Sequence, residues 1–334
     1  MTSVHFVVPN DIDDPATPSG GNTYDRRVCD GLRAHEHAAI GAWPHPTAPD
    51  LAGLDRVLAA LPDQAVVVVD GLIASAAPAV LTAHAARQRL IFLMHMPLDT
   101  PAEHQALRAS AAVVTTSTWC RQLLIDVYAY SSDLIHVAEP GVDAAPIAPG
   151  SAGGSRLLCV AALTPNKGHD VLVDALATMP DLEWTLQCVG SLDRDPAYVE
   201  ALRKQIRATG LTDRIVLCGA RTREDVGYGD ADLVVHASRG ETFGMVVVEA
   251  LARAIPVVAT EVGGVPEALG RAPDGSLPGL LVPPDDPRSL ARALRGWLED
   301  DEVRDRLRVS ARARRGTLTG WDVTVARFAE ALPQ

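Results

Sequence analysis

The segment "SRGETFGMVVVEALA", Ser238–Ala252, sets two carboxylates, Glu241 and Glu249, around a helix start. An apolar run, Leu233–His236, precedes it and a polar turn with Gly240 follows, so a strand ends there and a helix begins near Gly244. The backbone N–H groups of Phe243, Gly244 and Met245 then point out of the helix start. The helix dipole there favours an anion or a sugar hydroxyl. Glu249 follows about one and a half turns later, among Met245, Val246, Val247, Val248, Ala250 and Leu251. A carboxylate in such company has to be paired or bind a ligand. The plain structural alternative is a first-turn acid plus a carboxylate bonded to a neighbouring strand.

Three other places carry chemistry. In "VAALTPNKGHDVLVDAL", Val160–Leu176, a strand, a turn and a helix meet, with Asn166 and Lys167 at the turn and Gly168 opening the helix. A cation at that strand end would neutralise charge gathering on a departing diphosphate. Lys167 and Lys204 are the two lysines among the 30 basic residues of the chain, which hints that a compact ammonium is wanted here. In "TPSGGNTYDRRV", Thr17–Val28, Gly20 and Gly21 precede a helix and offer amides to a phosphate. The glycines are adjacent, so this is not the G-x-G-x-x-G dinucleotide fingerprint, and a bare turn would look the same. Finally, His95 ends the apolar run of "IFLMHMPLD". A lone histidine at a strand end is ordinarily structural.

Ser238–Ala252 closely resembles the E-x(7)-E motif of the family 4 retaining glycosyltransferases of the GT-B fold, with Glu241 and Glu249 at its two positions. "IPVVATEVGGVPEAL", Ile255–Leu269, and "GLLVPPDDP", Gly279–Pro287, are similar to that family too. The resemblance is strong across 156–331 and weaker across 1–150. It implies a hexosyltransferase-type enzyme that moves a sugar from a UDP- or GDP-sugar to an acceptor hydroxyl with retention of configuration. By that resemblance Glu249 holds the ribose hydroxyls, Glu241 contacts the donor sugar, and the amides of Phe243 and Gly244 bind sugar hydroxyls or phosphate. Gly20–Gly21 lies beside the donor phosphate, and His95 bonds the donor sugar without acting as a general base. The family also has an arginine five residues before the lysine, and this sequence has Ala162 there. Either Arg239 or Arg221, both at expected strand ends, supplies that second charge, or the chain binds donor with weak or absent transfer.

Repeated strand and helix patterns must position these residues. In the first half Val- and Ile-rich runs at Val4–Pro9, Ala38–Ala42, Ala65–Asp70, Leu90–Met94, Ala112–Thr116 and Leu134–Ala138 alternate with helical segments such as Thr23–Arg33, Leu51–Leu61 and Thr118–Tyr128. The stretch Glu139–Ser155 is rich in Pro, Gly, Ala and Ser without periodicity and reads as a linker, centred on 146–155. Strand signals resume at Arg156–Ala161, Trp184–Val189, Ile215–Cys218, Leu233–His236, Pro256–Ala259 and Leu280–Val282. The expectation is α/β throughout: two doubly wound Rossmann-like domains, 1–145 and 156–320, facing across a ligand cleft at their strand ends. Residues 321–332 form an amphipathic helix expected to pack back on the first domain.

Length and composition agree with that organisation. The chain has 334 residues, 47% apolar and 4% aromatic, which suits two domains built on Val, Leu, Ala and Ile. Net charge is −12 with no basic stripe, which disfavours nucleic acid as a partner. No apolar run reaches the ~18 residues of a membrane span, and the five cysteines show no CxxC spacing, so a cytoplasmic location is expected. His35, His37, His45 and His169 lack metal spacing, and Asp11–Asp14 and Asp193–Asp195 read as loop acids, so no metal or other cofactor is expected. A nicotinamide oxidoreductase is disfavoured, because the first strand lacks the glycine fingerprint and the second, ending at Ala42, carries no acidic ribose ligand. A sugar-nucleotide epimerase or phosphorylase of the same fold is the nearer alternative.

Overall fold

The computed structural model describes residues 4–14, 18–38, 50–222 and 225–333. The chain divides into two compact units. The first takes Met1–Asp14, Ser19–Gly141 and Thr319–Gln334, and the second takes Val142–Leu318 with Pro15–Pro18.

The first unit is built on a parallel sheet of β1 (Val4–Val8), β2 (His35–Ala38), β3 (Val66–Asp70), β4 (Arg89–Met94), β5 (Ala112–Thr115) and β6 (Ile135–Val137), in the order β2-β1-β3-β4-β5-β6. Crossovers run through α1 (Gly20–Leu32), α2 (Leu51–Ala60), α3 (Gly71–Ala76), α4 (Pro78–His84), α5 (Pro101–Leu107) and α6 (Thr118–Asp126). Helices cover both faces, so the central strands are apolar without alternation: β3 is buried along its whole length. On one face Val67, Val69, Phe92 and Val113 join Leu54, Leu58, Leu81 and Leu124 in one core. The other face is closed by α1 and by the C-terminal helix Trp321–Ala329. There Phe6 lies 6.4 Å from Phe328 and Tyr24 5.9 Å from Trp321, ring centre to ring centre. The Thr324 hydroxyl donates to the Glu139 carbonyl at 2.8 Å.

The second unit repeats the plan with β7 (Arg156–Val160), β8 (Thr185–Val189), β9 (Ile215–Gly219), β10 (Leu233–His236), β11 (Val257–Thr260) and β12 (Gly279–Val282), ordered β12-β11-β10-β7-β8-β9. Its helices are α7 (His169–Ala177), α8 (Pro196–Ala208), α9 (Met245–Ala252), α10 (Val265–Leu269), α11 (Pro287–Glu299) and α12 (Asp301–Arg315), leaving Trp321–Ala329 as α13. The period of two sorts its strand residues: Leu157, Cys159, Leu233 and Val235 enter one core, and Leu158 and Val234 the other.

Three sequence expectations differ in detail. The second strand occupies His35–Ala38, ahead of the expected Ala38–Ala42, whose residues 39–42 lie outside the described residues, as does His45. β2 is an edge strand, where the polar sequence HEHA is tolerated and an apolar run is a poor guide. α1 begins at Gly20 and not Thr23, because Ser19 caps it by accepting from the Asn22 amide at 3.0 Å. Residues 142–155, including the expected linker 146–155, are counted with the second unit. Their irregular backbone is tied down by side chains: the Ser151 hydroxyl donates to Asp232 at 2.6 Å and the Trp297 indole to the Gly154 carbonyl at 2.7 Å.

Both strand orders reverse once. In the first unit the chain leaves β1 towards β2 and returns on its other side at β3; in the second it runs β7, β8, β9 and returns beside β7 at β10. The carboxyl ends at such reversals are where open parallel sheets bind ligands.

Candidate functional site

In the second unit the reversal brings Lys167, beyond β7, to Glu241, beyond β10. The Lys167 ammonium lies 2.7 Å from Glu241 Oε2, with the two side chains 26% and 20% exposed. Two glycines make this approach possible. Gly168 holds φ +65°, and a methyl there would overlap the Ala237 carbonyl. Gly263 holds φ +52° and packs its Cα against the Glu241 carbonyl, while the Gly264 amide donates to that same oxygen at 3.2 Å. Asn166 ties the two loops together, its side-chain amide donating to the Gly240 carbonyl at 3.0 Å and its own carbonyl accepting from the Arg239 amide at 2.7 Å.

His236, at the end of β10 and 4% exposed in its side chain, sits with Nε2 3.5 Å from Glu241 Oε2. Burial pushes the Glu241 carboxyl upward, but Lys167 and His236 outweigh it and hold the group well below the usual carboxylate range. Glu241 is therefore an anion with a resident cation beside it.

Helix α9 begins at Met245 with Gly244 at its N-cap, φ +97°, and no side chain caps its first turn. Phe243 is 7% exposed, its ring in the core beneath that turn. Glu249 lies half-buried on the same helix and accepts from the Tyr228 hydroxyl at 2.8 Å. Arg253 stacks its guanidinium 4.4 Å from the Tyr228 ring and bonds the Glu249 carbonyl.

The two arginines considered in place of the residue missing at Ala162 differ. Arg239 forks onto Asp170 at 3.0 and 2.7 Å and reaches Asp285 at 2.6 Å, so its guanidinium is already engaged by carboxylates. Burial works against ionisation of Asp170, but Arg239 and Tyr198 overcome it and keep that carboxyl low. Arg221 is exposed on the loop after β9, bonded to the Asp225 carbonyl at 3.3 Å.

In the first unit the reversal gathers a different set. Gly20 and Gly21 form the first turn of α1, and Gly21 faces the His95 ring: a methyl there would touch Cδ2 at 3.5 Å. His95 follows β4, with Nε2 2.6 Å from Asp25 Oδ1 on α1 and 3.6 Å from Asp70 Oδ2 at the end of β3. Asp70 also caps α3, accepting from the Leu72 amide at 2.8 Å. Burial and the Asp25 charge push Asp70 up to about 7 against the pull of His95. Asp25, Asp70 and His95 are the group among the described residues whose ligand atoms converge closely enough to consider a metal. A cation between Nε2 and Oδ1 would hold them about 3 Å apart or more, whereas 2.6 Å is a hydrogen bond.

Asp25, Asp70, His236 and Tyr228 were not read from the sequence. Asp25 carries one signal, an acid on the buried face of α1 between Tyr24 and Val28; the others are single residues within apolar or loop segments.

Residues 150–314 match the family described as glycosyl transferases group 1. This stretch of the chain belongs to that family. The D-inositol 3-phosphate glycosyltransferases of Jonesia denitrificans and Kineococcus radiotolerans are 32% and 34% identical over 66% of this chain. The chain spans 56% and 57% of the length of those two relatives. Among solved structures, Anabaena Alr3699/HepE in complex with UDP-glucose superposes with a TM-score of 0.77 at 21% identity, over 99% of both chains. Sucrose-phosphate synthase from Thermosynechococcus elongatus gives 0.77 at 21% identity, over 99% of this chain and 98% of its own. These likenesses show the fold, that of the GT-B glycosyltransferases.

Proposed function

We propose that the chain is a glycosyltransferase that moves a hexosyl group from a nucleotide diphosphosugar, a UDP- or GDP-sugar, to an acceptor hydroxyl with retention of configuration. The observation that carries this reading is the Lys167–Glu241 pair at the β7/β10 reversal, inside the part of the chain that matches the family.

In the reaction the bond from the anomeric carbon to the diphosphate oxygen breaks, and a bond to the acceptor oxygen forms on the same face. The acceptor proton passes to the departing diphosphate, so no protein base is required. Lys167 exchanges its bond to Glu241 for one to the diphosphate and neutralises the charge that develops there. Glu241, released from the ammonium, accepts from hydroxyls of the donor sugar. The amides of Phe243, Gly244 and Met245 bind sugar hydroxyl or phosphate oxygen at the uncapped start of α9. Glu249, oriented by Tyr228, takes the ribose hydroxyls. Asn166 holds the loop that carries Lys167, and Arg221 is the exposed cation available to the diphosphate, Arg239 being engaged. Within the first unit, the Gly20 and Gly21 amides and His95 lie together at the strand-order reversal, and His95 would bond a donor-sugar oxygen there. The reaction is proposed to need no metal, since these cations and helix ends meet the phosphate charge. The named activity of the curated relatives makes a phosphorylated polyol a sensible first acceptor.

Ala162 favours a second reading, a protein that binds donor without transferring it. Incubation with a panel of UDP- and GDP-sugars and D-inositol 3-phosphate, with chelator present, decides between them. A glycoside whose anomeric coupling matches the donor supports the first reading. Donor binding without transfer or hydrolysis above background sinks it in favour of the second. No described helix is long and apolar enough to cross a membrane, and a cytoplasmic location is part of the proposal.

A further inference from the structure

The imidazole of His95 is held from three sides. Tyr24 meets it edge-on at 5.3 Å, Gly21 lies against its Cδ2 edge, and both belong to α1, as does Asp25. The Tyr24 hydroxyl donates to the Ala138 carbonyl at 2.8 Å, which leaves Asp25 as the polar partner that α1 offers the ring. Asp25 is fully buried, and its Oδ2 has no hydrogen-bond partner. From β3 and α3 comes Asp70, whose Oδ1 serves the Leu72 and Ile73 amides while Oδ2 faces Nε2 at 3.6 Å. Nδ1 makes no bond to a described residue.

We propose that Asp25 is a positioning residue that keeps His95 as an imidazolium, with Nε2–H given to Asp25 and Nδ1–H presented to a ligand oxygen. With Nε2–H committed to Asp25, a neutral ring would show a lone pair at Nδ1, able only to accept from a sugar hydroxyl, whereas the charged ring donates Nδ1–H to a hydroxyl or a phosphate oxygen alike. A buried carboxylate with one oxygen unpartnered is compensated by a cation in contact, and His95 is that cation. Burial disfavours charge on the ring, but Asp25 and Asp70 outweigh it and raise His95 above its ordinary value. Among the described residues, Tyr24, Asp25 and Asp70 are the titratable groups that face the ring from α1, β3 and α3. The proposal rests on the transferase reading only in naming the ligand oxygen as one of the donor's.

The test is nitrogen NMR of the histidine rings in the ligand-free full chain, with His95→Gln for assignment. At pH 7 the wild-type His95 ring is expected to show two protonated nitrogens. In Asp25→Asn, where a carbonyl oxygen of the same shape still accepts from Nε2, the His95 midpoint is expected to fall by about one unit or more. Asp70→Asn lowers it less, in keeping with its longer contact. A wild-type ring with one bare nitrogen at pH 7, or an Asp25→Asn midpoint equal to wild type, overturns the proposal. Should Asp25→Asn fail to fold, the wild-type spectrum and Asp70→Asn still decide. In transfer assays Asp25→Asn should lower kcat about tenfold or more at pH 8 and recover towards wild type at pH 6. If wild type transfers no sugar, the transferase reading fails while the ring spectra still judge Asp25.

Discussion

Replacing Lys167 by alanine tests the site at its centre. The substitution leaves Glu241 with its side chain 20% exposed and with His236 at 3.5 Å as the remaining cationic candidate. Breaking a fully buried pair costs about 3–5 kcal/mol and an exposed pair about 0–1, so this partly buried one should cost about 1–2 kcal/mol. For a unit of this size that lowers Tm by roughly 2–8 °C. The pH dependence identifies the cause. Glu241 has a folded pKa below its unfolded value, so the pair contributes stability above about pH 4.5 that is lost as pH falls below it. The Tm deficit of Lys167→Ala is therefore expected in full at pH 7 and should shrink below pH 4.5. Loss of the cation from the leaving diphosphate should also reduce kcat about 10²–10³-fold. Calorimetry from pH 7 to 2.5 and initial-rate assays with an identified donor read both effects. A Tm deficit that does not change with pH would refute the ion-pair argument, and a wild-type transfer rate would refute the catalytic one.

Gly168→Ala should destabilise by about 2 kcal/mol or more, because the residue sits at φ +65° with the Ala237 carbonyl against its Cα; urea unfolding measures it. Tyr228→Phe removes the hydroxyl bonded to Glu249, and donor KM should rise about fivefold with kcat nearly unchanged, as steady-state kinetics would report. Asp70→Asn removes a carboxyl whose folded pKa, about 7, lies above its unfolded value, so wild-type stability falls as pH rises from about 4 to 7. The Tm of the variant relative to wild type should accordingly climb over that interval, and scans at pH 5 and 8 would expose a flat difference as a contradiction.

Much of this was legible in the chain. The strands around Leu90–Met94, Ala112–Thr115 and Leu233–His236 were readable because parallel strands buried on both faces are short apolar runs bounded by turns. Glu241, Glu249, Lys167 and the glycines stood out because a charged or flexible residue at the end of such a run has no packing reason to be there. The edge strand at His35–Ala38 escaped, since an edge does not demand hydrophobicity, and Glu139–Ser155 read as a linker because side-chain hydrogen bonds leave no periodic trace.

The local pattern thus determined which residues lie at strand ends and helix starts, because the periods of two and 3.6 and the turn residues act over a few positions. Only the tertiary structure decided which of those ends meet. Strand order pairs β7 with β10 and so joins Lys167 to Glu241 across 74 residues, and it sets Asp25 and Asp70 on His95. It also shows Arg239 clasped by Asp170, though Arg239 and Arg221 look alike in sequence. The reason is physical: a crossover leaves no mark on local hydrophobicity, so partners distant in the chain become visible only once the sheet orders its strands.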